Sequence, residues 1–179
     1  MLAAARQRQL VGQALFVGAG LALMMVALMP LSPGRIAWPG PDWLMCLIFA
    51  WVLRRPEQAP VLLIAALVLV ADILFLRPIG LTAALAVVAT EAARHREARW
   101  RAQGFLVEWL RVAILLGLMV LGVRVVSTLF LIPPALAPLP PLGQDILHLI
   151  ATVAAYPLVV AVLHILGLRR AAPGEIDLT

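Results

Sequence analysis

Six long apolar runs, separated by short polar or proline-rich breaks, make up most of this chain. They predict helices over residues 10–29, 42–55, 60–76, 80–93, 105–132 and 146–168, with 171–179 left as a polar tail. The runs are apolar on all sides, the pattern of helices enclosed by lipid or by other helices. The third run organises the rest. Pro60 to Leu76 reaches roughly 26 Å at about 1.5 Å per residue, close to the hydrocarbon thickness of a bilayer, yet Asp72 lies inside it and Gly80 follows eight positions later. A carboxylate at that depth costs roughly 2.5–3.5 kcal/mol, so Asp72 is expected to have a partner. Arg124, well inside the fifth run, is the expected one, and Arg77, snorkelling back from the next turn, is the alternative. Such a pair offsets burial and fixes helix register without adding much net stability.

The second run is the weak one. From Asp42 to Arg55 it reaches only roughly 21 Å, so it is expected to be re-entrant or to rely on thinned membrane and a surrounding bundle. Asp42, after Pro41 and before the apolar residues, occupies an N-cap position. Trp43 and Trp51, eight apart, fall roughly on one helix face as anchors, packing groups or a partner-binding surface. The first run, Leu10 to Leu31, is too long for a secretory leader and is expected to be a first span. Trp38, in the proline-rich break that follows, suits a membrane–water interface. The break before the sixth run holds five prolines and is expected to be extended and stiff. Tyr156-Pro157 predicts a kink in the last helix.

Composition agrees with this class. Hydrophobic residues make up 64% of the 179, against about 45–50% in soluble domains, so a single all-α integral membrane domain over 1–179 is expected. Net charge is +5, but the arginines lie between apolar runs and form no continuous basic face, which argues against nucleic acid. Six helices make their distribution testable. Arg6, Arg8, Arg54, Arg55, Arg94, Arg96, Arg99, Arg101, Arg169 and Arg170 fall on one side, and only Arg35 and Arg77 on the other. That bias places both termini in the cytoplasm. The Glu91–Gly104 segment, with Arg94, Arg96, Arg99 and Arg101, is expected to be a solvated helical extension that touches anionic lipid headgroups or a cytoplasmic partner.

Candidate chemistry is sparse. His148 and His164 are sixteen apart, roughly 24 Å along a helix, and cannot share a metal. Cys46 is the single cysteine. Neither a phosphate loop nor a nucleophile–base set is present, so no cofactor, metal or catalytic residue is expected. Glu108 and Arg111 are expected to pair locally, and nothing in the spacing of Asp42, Asp72 and Asp145 gathers them. Gly12, Gly18 and Gly20 on the first helix and the alanine-rich run 83–93 on the fourth are candidate surfaces for close approach by a partner helix, and Asp42 and Gly80 are further interface candidates.

Two segments carry a resemblance. PDWLMCLIFAWVLRRPEQ (41–58), followed by VLVADILFLRPIGLTAAL (68–85), resembles the MreD family of rod shape-determining membrane proteins, over about a third of the chain (38–90). The matching features are the short helix opened by Pro-Asp-Trp and closed by Ala-Trp-Val-Leu, and the Asp-Ile-Leu with glycine eight residues on. The resemblance implies a six-helix fold similar to the substrate-binding component of energy-coupling-factor transporters. It further implies a non-enzymatic inner-membrane scaffold and regulator of cell-wall elongation. Its partners would be a single-span MreC-type coiled-coil protein, a RodA-type glycosyltransferase with its transpeptidase, and, directly or indirectly, the MreB filament. The competing expectation is a small-molecule, vitamin-like substrate-binding subunit of a transporter. Against it stands the poverty of polar side chains within the spans, with no asparagine at all.

Overall fold

The computed structural model describes residues 2–29, 40–97, 104–130 and 141–168, except the side chains of 2–5, 96 and 97. The proline-rich breaks with Arg35 and Trp38, the Arg96 side chain, Arg99, Arg101 and the C-terminal tail lie outside the described residues. The described residues form six α-helices: α1 (Leu2–Leu28), α2 (Trp43–Val52), α3 (Val61–Leu74), α4 (Leu81–Glu97), α5 (Phe105–Phe130) and α6 (Leu142–Ile165). A 3-10 turn, Pro56–Gln58, joins α2 to α3. α1 starts eight residues earlier than expected and carries Arg6 and Arg8 within it, and α4 runs four residues further.

Among the described residues, three helices are long and apolar enough to cross a membrane: Arg6–Leu28, Phe105–Phe130 and Leu142–Ile165. Their outward faces carry large exposed apolar side chains such as Leu15, Leu118, Leu129 and Ile150. A soluble surface of this size would not stay monomeric, whereas lipid covers it at no cost.

α2 explains its own shortness. Every residue from Leu44 to Leu53 is buried, including Ile48, Phe49 and Ala50 at 0% exposure. The helix lies in the middle of the molecule against α1, α4 and α6, while α3 packs on α1 and α4, and α5 packs on α4 and α6. Ten residues cover only about 15 Å, but a helix enclosed by longer ones faces no lipid and need not match its thickness. The all-round apolar sequence WLMCLIFAWV is the signature of that position.

The small residues serve this internal packing. Gln58 occupies the space a side chain at Gly12 would need, and the tip of Leu67 does the same at Gly20. Ala83, Ala86 and Ala89 form the buried face of α4. The candidate partner surfaces at Gly12, Gly20 and this alanine face are therefore spent within the bundle, whereas Gly18 is exposed with open space beside it. Trp51 is likewise inside, 3% exposed, its ring 5.5 Å from that of Phe16 and its indole N–H donated to Gln58 Oε1 at 3.3 Å. It is a packing group, closed to any partner; Trp43 is half-buried.

Pro157 sits inside a continuous α6. A proline there removes the hydrogen bond to the carbonyl four residues back, which is that of Val153. Trp109 of α5 replaces it, donating its indole N–H to the Val153 oxygen at 2.8 Å. Trp109→Phe leaves that carbonyl without its donor and is expected to cost about 1–3 kcal/mol. Thermal unfolding in detergent, with Val107→Phe as a size control, measures the loss.

Candidate functional site

Three groups of polar side chains lie within the bundle. The first is the turn between α3 and α4. Asp72 is fully buried on α3, and its Oδ2 accepts the backbone N–H of Gly80 at 3.1 Å and of Ala83 at 3.4 Å. Those are otherwise orphan donors at the start of α4, so one carboxylate ties the end of one helix to the beginning of the next. Gly80 has φ +84°, a conformation that favours glycine. This accounts for the eight-residue spacing and gives Gly80 a place in the turn instead of on a partner surface. Asp72 pairs with neither expected arginine: Arg77 pairs with Asp42, and Arg124 with Asp145. Backbone N–H groups supply its partners because the turn brings them within reach. Its Oδ1 has no partner among the described residues.

α3 ends with the Arg77 N–H donated to the Asp72 carbonyl at 2.9 Å and Leu76 at φ +53°. That is a Schellman closure with leucine where glycine is usual. Leu76 is 93% exposed, so its side chain gains no packing in return. Leu76→Gly is expected to stabilise the protein by about 1 kcal/mol, since it relieves a left-handed leucine. A higher midpoint in thermal unfolding is the check.

The second group lines a cleft of about 380 Å³ at the end of the bundle where α2 begins. Asp42 caps α2 by accepting the Met45 N–H at 3.1 Å, and its Oδ2 takes Arg77 Nη1 at 3.3 Å. Arg124 of α5 pairs with Asp145 in the first turn of α6. Thr152 Oγ1 accepts the Asp42 N–H at 3.0 Å and donates to the His148 carbonyl at 2.7 Å. His148 Nδ1 lies 2.6 Å from the Gly40 carbonyl, which can only accept, so Nδ1 carries a proton. Met45, Leu116, Met119 and Leu149 provide much of the apolar floor. Asp42 and Asp145 thus share one cleft after all, each held by an arginine.

The third group lies toward the opposite end of α2. Arg54 Nη1 meets Glu108 Oε1 at 3.1 Å with both side chains under 10% exposed, and it also donates to the Ala50 carbonyl at 2.9 Å. The Tyr156 hydroxyl, fully buried, donates to the same Glu108 oxygen at 2.6 Å. Charge alone suggests that Arg54 sets topology, but the structure gives it a buried partner. The usable signal was Glu108, a carboxylate three residues into an apolar helix, which needs more than a neighbour on its own surface. Further along, Arg94 pairs with Glu91 at 3.3 Å and donates to the Ala59 carbonyl, tying α4 to the turn before α3.

No family model, no curated protein and no solved structure matches the chain. Among the described residues, no three His, Cys, Asp or Glu groups are placed to hold a metal ion. The buried Cys46 thiol donates to the Thr152 carbonyl at 3.3 Å, a packing contact between α2 and α6. Among the described residues the arrangement therefore offers fixed ion pairs, a charged cleft and wide apolar outer surfaces.

Proposed function

We propose that the chain is a non-enzymatic scaffold of the MreD type, crossing the bacterial inner membrane six times with both termini in the cytoplasm. In that role it binds a single-span MreC-type partner within the cell-wall elongation complex, and through it the RodA-type glycosyltransferase, its transpeptidase and the MreB filament. One observation carries this reading. The two segments behind the resemblance, 41–58 and 68–85, form a single connected unit: Asp42 caps the central helix, reaches Arg77 in the α3–α4 turn, and that turn is organised by Asp72 and Gly80. The residues that suggest the family are the ones on which this architecture depends. The arginine bias then puts the Asp42 end of the bundle toward the periplasm and the Arg54 end toward the cytoplasm.

A partner helix in lipid gains affinity from close fit and polar contacts, because lipid removes the hydrophobic drive. Gly18 on the exposed face of α1 is the glycine of that helix left open for such an approach. Full-length protein extracted in mild detergent is expected to retain an MreC-type partner, and Gly18→Leu to reduce that retention about tenfold. Loss of no partner in the variant would move the contact elsewhere. Failure of the wild type to retain any MreC-type protein would sink the scaffold reading.

A further inference from the structure

The cleft at the Asp42 end shares the Asp42–Arg77 pair with the scaffold reading, but what it binds does not depend on that reading. Among its described lining residues, Arg77 and Arg124 stand against Asp42 and Asp145, with His148 beside them. They are neither fully buried nor open, with side-chain exposures of 34% and 14% in one pair and 22% and 24% in the other. The Asp42–Arg77 pair uses one guanidinium nitrogen, Nη1, and the five-donor fork of Arg77 can reach a further acceptor. On the same wall Ser127 is only 7% exposed, and its hydroxyl has no partner among the described residues. A buried hydroxyl left without a partner inside a charged cleft marks a place where a polar group is missing.

The charge balance decides what that group belongs to. An anion or a cation alone would leave the cleft with an uncompensated charge in partly dry surroundings, which is costly. A ligand carrying one charge of each sign adds none. Its acidic group can meet the guanidinium groups and its ammonium the carboxylates, while the floor of Met45, Leu116, Met119 and Leu149 takes an apolar body. At about 30 Å³ per water-sized unit the space holds roughly a dozen non-hydrogen atoms. That is a headgroup with the start of a chain, or a free amphiphilic amino acid, and it excludes a folded peptide or an oligosaccharide.

We propose that this cleft is a binding site for a zwitterion with an apolar body, the ammonium and acidic group bridging the Asp42–Arg77 and Arg124–Asp145 pairs. The shared chemistry could come from a phosphoethanolamine lipid or from a soluble amino acid. Native mass spectrometry of the full chain in detergent distinguishes them, with short-chain phosphatidylethanolamine, short-chain phosphatidylglycerol, O-phosphoethanolamine and L-leucine as probes. One saturable copy of phosphatidylethanolamine per chain, at least tenfold tighter than phosphatidylglycerol, is expected if the source is lipid. The same preference for O-phosphoethanolamine or L-leucine over phosphatidylglycerol identifies a soluble source. Arg124→Gln combined with Asp145→Asn should weaken the preferred probe at least tenfold. Val123→Phe, which fills the cleft and leaves both pairs intact, should do the same in a chain whose helical circular dichroism is unchanged. Equal binding of phosphatidylglycerol, absence of a saturable site for any probe, or unchanged binding in the Val123→Phe protein would each overturn the assignment.

Discussion

Arg54→Met is expected to lower stability by about 3–5 kcal/mol, the largest loss among single substitutions outside the apolar core. The reason is the carboxylate left behind. Glu108 is buried between α2, α5 and α6, where Arg54 and Tyr156 converge on one oxygen. Without the guanidinium, that buried carboxylate loses the cation it meets at 3.1 Å. Replacing both members, Arg54→Met with Glu108→Leu, removes the charge as well as its partner and is expected to recover most of the loss. Tyr156→Phe, which removes one hydrogen bond to a charged acceptor, should cost about 1.5–3 kcal/mol. Thermal unfolding of the four proteins in one detergent measures all of this. A double replacement no more stable than Arg54→Met would show that the network contributes more than charge compensation.

Asp72→Ala is expected to be the next most damaging, at about 2–4 kcal/mol, because two N–H groups at the start of α4, that of Ala83 buried and that of Gly80 half-buried, lose their acceptor together. Asp72→Asn should be much milder, since an amide oxygen can still accept from Gly80 and the burden of a buried charge is gone. Asp72→Ala also separates two accounts of this carboxylate. Were Asp72 paired with Arg124, Asp72→Ala and Arg124→Leu would be strongly non-additive. With Arg124 on Asp145 and Asp72 on backbone, their effects should add to within about 0.5 kcal/mol, whereas Arg124→Leu and Asp145→Leu should be coupled. A double-mutant cycle on each pair gives the answer directly.

The contrast between these two sites shows what a sequence of this kind reveals. Helix positions were legible because apolar runs and prolines mark them without reference to the rest of the molecule. The demand that Asp72 be satisfied was legible too, since it follows from desolvation alone. The partner was not. Helical spacing orders residues along one axis, and a search for opposite charges overlooks backbone donors that exist only once the chain turns at Gly80. Arg54 with Glu108, and Arg124 with Asp145, were hidden for a related reason: each joins residues of different helices, and the rotation of one helix against another is set by packing. The length of α2 was the most informative clue of all. An apolar helix too short for the bilayer reads as a marginal span, but enclosure by α1, α4 and α6 gives it another meaning.

That enclosure also has a consequence for how the molecule is made. α2 emerges from the ribosome early, yet its cap at Asp42 is completed by Thr152, and Cys46 rests on the same residue, more than a hundred positions downstream. These contacts of α2 can therefore form only once α6 has been made.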